Sequence, residues 1–495
     1  MTTRSPTDQP ITLSAAPRGW TGPLLPEQAV TFDLTLANRS PAPLEITLLD
    51  GNPSTLVLRA YSDAGGLLVE AALGDGHGGH GHEPNERPIK TGILPAGAEL
   101  TTYLSLWDVT APLPPGRYAF EVEQRGATAP IVISNRVPFE ITSARVEAAA
   151  LDYESPARMV SLLAWTAARA DGAPPELLAR FSETGNHART SHGAASQGRV
   201  PAGARVAVSR IAPGGSGAWL GWIAAASPGQ IELFRHNNAS PAWRSGPVAL
   251  PLADALPVPR FPDRGRAVML ATGSRGGSPV LAGAVVQENA AAPAAWVVPL
   301  AALPLRSAAV FGPSGPITLF FASDDGATSR VSRLDVDESG AVVAAEQLVR
   351  STPNRVVGLV SDMRAGQPPS VVVLESSRAA PNRLALSRLP LAGAAPPVAS
   401  FAPLAGWPTT VDQAGERPLR AEELVLDVAL DGSLDLAIID ETGSLHAGKL
   451  DPAGLRLVRD TSHGRAHAAH FAALRDGEWP GCFTDAGMID RAGGH

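Results

Sequence analysis

Apolar and polar residues alternate in short runs through the first part of the chain. Between Val30 and Leu36 every second residue is apolar, and Thr or Asp stands between them. The same alternation returns in Leu44–Leu48 after the turn-forming stretch Asn38–Pro41. A period of two gives a strand one buried face and one wet face. About seven or eight such runs up to Ile141 predict an antiparallel β-sandwich.

Beyond residue 150 the apolar runs follow a longer rhythm. Most of them are followed by a polar turn and then by a second strand-like run, and their starts lie roughly 40 to 65 residues apart. A recurring unit of this size that contains only strands is typical of a β-propeller blade. The recurring runs are Val160–Trp165, Ala218–Trp222, Pro279–Gly283, Ile317–Phe321, Ser370–Leu374 and Leu434–Ile439.

Several segments of the N-terminal part are similar to one family. Gln28–Asn38 forms a strand that ends in Asn, and Leu94–Gly97, Leu106–Asp108 and Pro115–Tyr118 follow it much later. Together they resemble the immunoglobulin-like domain of the BsuPI-type intracellular proteinase inhibitors. The resemblance implies an immunoglobulin-like sandwich. It does not carry over proteinase inhibition, because sandwich domains host many unrelated roles.

The last of the recurring runs contains regularly spaced aspartates. The stretch from Asp427 through Asp431-Gly432 to Asp435-Leu436 resembles the FG-GAP/VCBS propeller motif. That resemblance implies a calcium site with Asp427, Asp431 and Asp435 as ligands. Ala429 occupies a place where the family usually has a further acidic ligand, and calcium requires about six to eight oxygens. A plain β-turn explains the same Asp and Gly residues, so both interpretations stay open.

These patterns together predict an all-β chain of two parts. Residues 1–145 are expected to form the N-terminal immunoglobulin-like β-sandwich, and residues 146–495 a six- or seven-bladed β-propeller. The 49 glycines and 46 prolines support this prediction, because both residues penalise the interior of a helix and favour turns. They exclude a mainly helical protein.

Composition narrows the classes of function. The formal net charge of −8 argues against a nucleic-acid surface, which would require a basic stripe. Cys482 is the single cysteine, so the chain has no internal disulfide and no cysteine-based zinc site. No apolar stretch reaches the length of a membrane-spanning helix. No leader is visible, which predicts a cytoplasmic location by default and leaves the periplasm and the cell surface open.

The clearest candidate for metal chemistry is a histidine-rich loop. His77, His80 and His82 are separated by glycines, inside the polar insert of the predicted sandwich. Three imidazoles on such a loop can converge on a transition metal such as copper, nickel or zinc. The alternative is a solvated loop of biased composition, in which glycine raises the entropic cost of forming a site.

No catalytic motif stands out, so the sequence indicates architecture better than activity. The first hypothesis is a non-enzymatic binding or scaffold protein that presents rigid β surfaces to other proteins, as a component of a larger bacterial assembly. The second is a metal-binding protein that uses the histidine-rich loop. The third is a propeller hydrolase or lyase with its site at the central channel. The partner and the oligomeric state stay undefined.

Overall fold

A computed structural model describes most of the chain. The residues it describes are 10–26, 28–49, 52–53, 56–72, 90–106, 113–124, 132–155, 160–169, 172–184, 189–191, 194–210, 218–224, 229–237, 240–258, 266–287, 294–311, 316–362, 367–391, 402–404, 407–412, 415–428, 434–450, 466–471, 480–484 and 487–489. This part of the chain contains β-strands and no α-helix, and therefore no helix long and apolar enough to cross a membrane. The predicted all-β class is confirmed.

The chain divides into two compact units. The first comprises Met1–Ala144, Arg169–Asp171 and Arg180–Ser196, and the second comprises Arg145–Ala168, Gly172–Ala179 and Gln197–His495.

The first sixteen strands run from residue 11 to residue 199. They are β1 Ile11–Pro17, β2 Thr31–Asn38, β3 Leu44–Leu49, β4 Asn52–Pro53, β5 Leu56–Ser62, β6 Leu67–Ala72, β7 Lys90–Leu94, β8 Glu99–Ser105, β9 Gly116–Gln124, β10 Val132–Ile133, β11 Val137–Ile141, β12 Ala144–Ser155, β13 Val160–Arg169, β14 Glu176–Thr184, β15 Arg189–Ser191 and β16 Ala195–Arg199.

The remaining strands lie in the second unit. They are β17 Arg205–Arg210, β18 Ala218–Ala224, β19 Gly229–Asn237, β20 Ser240–Arg244, β21 Val248–Leu250, β22 Ala253–Val258, β23 Arg266–Arg275, β24 Ser278–Gln287, β25 Ala294–Pro299, β26 Arg306–Phe311, β27 Ile317–Asp324, β28 Ser329–Val336, β29 Val342–Thr352, β30 Arg355–Asp362, β31 Ser370–Ser376, β32 Arg383–Pro390, β33 Ala402–Pro403, β34 Thr409–Asp412, β35 Gly415–Pro418, β36 Ala421–Val428, β37 Leu434–Asp440, β38 Leu445–Leu450, β39 Ala466–Phe471, β40 Pro480–Thr484 and β41 Gly487–Ile489.

Aromatic side chains form the centre of the first unit. One sheet has the order β1-β2-β8, a second has the order β10-β9-β5-β6 with β11 beside β9, and a third has the order β4-β3-β7. Phe32 of β2 stacks on Phe120 of β9 with 3.7 Å between ring centroids, and Phe139 of β11 packs edge-on to Phe32. Along β2 the burial alternates from Thr31 to Leu36, as the period-two pattern predicts.

A buried asparagine ties the end of β2 to the chain around β7. The Asn38 side chain is fully buried, and its Nδ2 lies 2.9 to 3.1 Å from the carbonyl oxygens of Ala42, Leu94 and Pro95. Its Oδ1 accepts hydrogen bonds from the backbone N and the Oγ of Ser40. A buried amide needs such partners, because an unpaired buried polar group is costly. The buried side chain of Asn38 therefore stabilises the Asn38–Pro41 turn through its hydrogen bonds.

The second unit repeats one simple arrangement. The strands β22 to β25, β26 to β29 and β30 to β33 form four-stranded antiparallel sheets in chain order, and β17 to β20 do the same with β21 added beside β19. Three-stranded sheets follow in β36 to β38 and in β39 to β41, and β34 pairs with β35. The strands β12 to β16 form a further sheet. None of these sheets closes on itself within the described residues.

Each central sheet of the second unit buries both of its faces. Leu319 and Phe321 of β27 pack with residues of β23 to β25, whereas Phe320 and Ala322 of the same strand pack with residues of β31 and β32. Because both faces are covered, β27 reads as a continuous apolar run instead of an alternating one. The strand β31 shows the same pattern, with Val371–Leu374 fully buried.

Charged side chains cross between neighbouring sheets. The Arg350 guanidinium of β29 pairs with the fully buried carboxylate of Glu375 on β31, with 3.1 Å between Nη1 and Oε1. Thr352 Oγ1 donates to the second oxygen of Glu375 at 2.8 Å, and Arg350 also donates to Ser387 Oγ. Removing one member of a buried pair typically costs about 3–5 kcal/mol, because the other charge is left unpaired.

One indole ring fills the space left by two glycines. A Cβ built on Gly283 or on Gly340 would approach the ring of Trp296 to 2.1 or 2.4 Å. The ring is also fixed by a 2.9 Å hydrogen bond from its Nε1 to the carbonyl oxygen of Glu338. Since Gly340 has a φ of +85°, which L side chains rarely adopt, its backbone also favours glycine.

We predict that Gly340→Ala destabilises the second unit more than Gly277→Ala. Both glycines have nearly the same positive φ, +85° and +84°, but no atom lies within 4 Å of a Cβ on Gly277. Both variants pay the backbone strain of about 1–2 kcal/mol. Only Gly340→Ala must also displace the Trp296 ring, at a further cost of about 1–3 kcal/mol. Urea unfolding followed by tryptophan fluorescence compares the two, and equal losses would contradict the packing of Trp296.

Candidate functional site

The second unit contains a cavity of about 700 Å³ at one edge of three neighbouring sheets. It lies where β26, β30 and β36 begin and where the turns from β27 to β28 and from β31 to β32 lie. Its lining includes four arginines and one carboxylate, together with Trp407 and several aliphatic side chains. The four arginines are Arg306, Arg355, Arg378 and Arg420.

Strand register brings three of these arginines to the same edge. Arg306 and Arg355 are the first residues of β26 and β30, and Arg420 directly precedes β36. In each sheet this first strand pairs with the end of the next one, so that Arg355 lies opposite Ser376 and Ala421 lies opposite Asp440. Since β26 packs beside β30 and β30 beside β36, the beginnings of the three strands are neighbours.

An ion pair between two sheets fixes one wall of the cavity. Arg378, in the turn after β31, reaches Asp324 at the end of β27, with 2.7 Å between Nη2 and Oδ2. Its Nε also donates to the carbonyl oxygen of Pro353 at 2.8 Å. Asp324 accepts further hydrogen bonds from Ser329 Oγ and from the backbone N of Gly326. The wall is therefore cross-linked by charge-assisted hydrogen bonds.

The same contacts set the ionisation of Asp324. Burial opposes its ionisation, but the hydrogen bonds from Ser329, Gly326 and Arg378 outweigh burial and lower the pKa of the carboxyl below its ordinary value. Asp324 is consequently a carboxylate throughout the neutral pH range.

Trp407 provides a rigid apolar surface in the cavity. The residue is buried, and its Nε1 donates to the carbonyl oxygen of Leu419 at 2.9 Å, which fixes the orientation of the ring. It packs in the same apolar cluster as Leu404 and Leu434. Val357 and Leu424 add aliphatic surface to the lining.

Positive charge exceeds negative charge in the lining. Asp324 is its single carboxylate, and Arg378 neutralises that group. Arg306 is exposed, and its Nη1 donates to the neutral carbonyl oxygen of Leu305 at 2.9 Å. The side chain of Arg355 forms no hydrogen bond or ion pair with any residue that the structure describes. The cavity therefore offers guanidinium donors that no carboxylate within the lining satisfies.

The described lining contains few of the side chains that commonly act as general acids or bases. It contains no His, Cys, Lys or Tyr among the described residues that form it. Ser376 Oγ donates to the carbonyl oxygen of Pro381 at 2.9 Å and has no neighbouring base in the lining. Activation of a serine nucleophile requires such a base. Asp324 is ionised and already accepts several hydrogen bonds, so it is not poised to exchange a proton.

The structure describes only some of the residues that the sequence predicts as metal ligands. His77, His80 and His82 lie outside the described residues, and so does Asp431. Asp427 of β36 and Asp435 of β37 lie directly opposite each other in the strand register. Within the described ranges, no group of three or more His, Cys, Asp or Glu residues is placed to hold a metal ion. Both metal sites stay predictions.

A second carboxylate site closes the hairpin of β37 and β38. Asp440 is buried, with its Oδ2 2.7 Å from His446 Nε2, and its Oδ1 accepts hydrogen bonds from Thr442 and Ser444. Burial opposes ionisation of Asp440, but the hydrogen bonds from Thr442, His446 and Ser444 lower the pKa of its carboxyl. Each of these partners belongs to the same hairpin, so we interpret the group as a set of hydrogen bonds that stabilises the turn between β37 and β38.

Reasoning from the sequence missed the arginine-lined cavity. The repeats contain a signal that could have predicted the cavity. Arg306, Arg355 and Arg420 each stand at the beginning of the first strand of a sheet or directly before it. In a repeated fold, residues at the same place in consecutive units come to the same edge. The histidine and aspartate motifs drew attention because they are dense in sequence, whereas these arginines are far apart.

Comparison with known proteins leaves the family open. No family model and no curated protein sequence matches the chain. Solved structures with a similar trace include the BP39L lectin from Burkholderia pseudomallei, at 15% identity over 69% of this chain and 93% of the lectin, with a TM-score of 0.41. Puromycin hydrolase matches at 16% identity over 66% of this chain and 51% of its own, with a TM-score of 0.36.

A third neighbour is the β-propeller domain of the Trilobed protease from Pyrococcus furiosus, at 8% identity over 77% of this chain and 96% of that domain, with a TM-score of 0.27. The neighbours thus include lectin and β-propeller folds. At these values the likenesses carry no argument about activity, and the site is interpreted from its own residues.

We predict that Asp324→Asn lowers the free energy of unfolding of the second unit by about 1–3 kcal/mol at neutral pH, because it removes a hydrogen-bonded carboxylate. The pKa of Asp324 is lowered in the folded state, so its stabilisation is complete above the ordinary carboxyl pKa and is lost as the pH falls through the folded value. The difference from the wild type should therefore shrink below about pH 4.

Urea unfolding at a series of pH values measures this difference. The matched control is Asp325→Asn, since Asp325 is half-exposed in the same turn and its nearest cation, Arg330, is 3.6 Å away. A loss for Asp324→Asn that is no larger than for this control would contradict the role of the ion pair in the cavity wall.

Proposed function

We propose that this protein is a non-enzymatic binding protein that holds its ligand in the arginine-lined cavity of the second unit. The observation that carries the proposal is a concave site of about 700 Å³ whose walls are already fixed before a ligand arrives. The Asp324–Arg378 pair links two sheets at its edge, and the Trp407 ring is held by Leu419. Pre-formed clefts of about 300–1,000 Å³ are typical of small-ligand sites.

The proposed architecture is an immunoglobulin-like sandwich followed by a seven-bladed β-propeller. The sandwich is supported by the Phe32–Phe120 stack between sheets and by Tyr118, whose hydroxyl donates to the carbonyl oxygen of Pro114 at 2.6 Å. A tyrosine near the start of a strand that bonds back to the preceding segment is typical of immunoglobulin-like domains. Of the six or seven blades expected from the sequence, seven is the number that we propose, and it is supported by the seven sheets that begin with β12, β17, β22, β26, β30, β36 and β39.

The geometry favours a small ligand over the protein partners expected from the sequence. One exposed apolar surface that a protein partner could use is on β29, where Val342, Val343 and Leu348 are 49%, 58% and 60% exposed. The pairing of β29 with β28 is interrupted by several register shifts. Irregular outer strands resist the addition of a further strand. A concave site with fixed walls is the stronger feature.

The enzymatic alternative has less support at this site. A hydrolase or lyase needs a nucleophile or a general base within hydrogen-bond reach of another reacting group. The Asp324 carboxylate is occupied by Arg378 and Ser329, and the Ser376 hydroxyl by Pro381. We therefore propose that a bound ligand leaves the cavity chemically unchanged.

We predict that filling the cavity abolishes ligand binding. A library of small molecules is screened against the full chain by its effect on the melting temperature, and each hit is tested again on Ser377→Trp. Ser377 lines the cavity, so an indole at this position should displace the ligand and remove the stabilisation that binding provides.

The control is Ala379→Trp, because Ala379 is an exposed residue of the same turn and is not part of the lining. Hits that stabilise this control and the wild type, but not Ser377→Trp, support the proposal. Mass spectrometry of the ligand after long incubation checks that it is unchanged. The proposal fails if no compound stabilises the wild type, if hits stabilise Ser377→Trp equally, or if the ligand is converted.

A further inference from the structure

The charge and the surface of the cavity identify the class of its ligand. We infer that the cavity selects a small organic anion, a molecule with a carboxylate, sulfate or phosphate group joined to an apolar part. The anionic group is bound by Arg306 and Arg355, and the apolar part lies against Trp407 and Leu424. This inference rests on the proposed binding function and adds the chemistry of the ligand.

The positive charge of the cavity is local. The whole chain carries a formal net charge of −8, so an excess of guanidinium groups at one edge does not follow from composition. Of the four arginines, Arg378 is neutralised by Asp324 and Arg420 has interactions of its own, whereas Arg306 and Arg355 have no carboxylate partner among the described residues. Both are the first residues of strands that pack side by side, so they belong to one edge of one cavity.

Arginine also defines the kind of group that is bound. Its planar guanidinium presents N–H donors in a fork that matches the paired oxygens of a carboxylate or a phosphate. A guanidinium group carries a positive charge, which attracts an anion. A neutral polyol offers no charge to these donors, and a cation is repelled.

The apolar part of the lining excludes a bare inorganic ion as the preferred ligand. Val357 and Leu424 are only partly buried, and together with the edge of the buried Trp407 ring they give the lining apolar surface that a second apolar surface can cover with a gain in free energy. The Trp407 ring is already oriented by its hydrogen bond to Leu419, so binding costs little further ordering. An ion such as phosphate would use the arginines and leave this surface in contact with water.

A series of probes with one ring and different charges tests the inference on the full chain. Phenylacetate, benzyl sulfate and benzyl phosphate are compared with neutral benzyl alcohol and cationic benzylamine by isothermal titration calorimetry. Inorganic phosphate and sulfate serve as anions without an apolar part. We expect the anionic rings to bind at least about 10-fold more tightly than benzyl alcohol, which corresponds to about 1.4 kcal/mol. The order among the three anions identifies the preferred group.

Variants assign the effect to the arginines. Arg355→Gln and Arg306→Gln should each weaken the anionic rings about 5- to 10-fold and leave benzyl alcohol unchanged. Arg275→Gln is the matched control, because Arg275 is an exposed arginine at the end of β23 and does not line the cavity. It makes the same change in net charge and should have no effect. Circular dichroism and the melting temperature verify that each variant is folded.

The outcomes separate this inference from the proposed function. If benzyl alcohol or benzylamine binds as tightly as the anions, or if the library hits blocked by Ser377→Trp are neutral or cationic, the anion selectivity is overturned while the binding function stands. Equal binding of inorganic phosphate would overturn the apolar half of the site. An equal loss of affinity for the anionic probes in Arg275→Gln would show that the net charge of the protein, and not the arginines of the cavity, causes the effect. If neither the probes nor the library contain a ligand, both proposals fail.

Discussion

Contact between neighbouring sheets is the constraint on which the second unit depends. No single sheet can bury its apolar residues alone, so β27 and β31 are covered on both faces by the sheets beside them. Apolar packing is not directional, and it leaves the sheets free to slide. The buried Arg350–Glu375 pair and the Arg378–Asp324 pair supply the directional contacts, since each arginine joins a carboxylate of another sheet. We interpret these pairs as devices that set the position of one sheet against the next.

The cavity is a by-product of that positioning. The arginines at its edge stand where strands begin, and the sheets present these ends together only because their neighbours hold them in place. The wall pair and the two arginines that we propose as binding groups are each divided between the sheet of β26 to β29 and the sheet of β30 to β33, so no single hairpin contains the proposed site. Arg378 has both roles, because it links two sheets and also occupies part of the lining. The same contact therefore holds two sheets together and shapes the proposed binding site.

Local patterns in the sequence predict the strands but not the site. The alternation along β2 and the apolar runs of β27 and β31 are properties of neighbouring residues, so they are visible without a structure. The pairing of Asp324 with Arg378 joins residues of different sheets, and each alone resembles an ordinary polar turn residue. The same is true of Arg306 and Arg355, which read as surface charges until strand register places them at one edge. A motif of neighbouring residues is visible in the sequence, whereas the residues of a site assembled from several repeats are far apart in it.

The packing of Trp296 also has a consequence for how the sequence can change. Its ring occupies the volume that side chains at Gly283 and Gly340 would need, and these two glycines belong to different sheets. The three positions therefore cannot vary independently. A side chain at Gly283 becomes acceptable only once the indole has been replaced by something smaller, and the same replacement frees the space beside Gly340. Substitutions at this boundary between sheets therefore have an order: a smaller residue must replace Trp296 before a larger residue can replace Gly283 or Gly340.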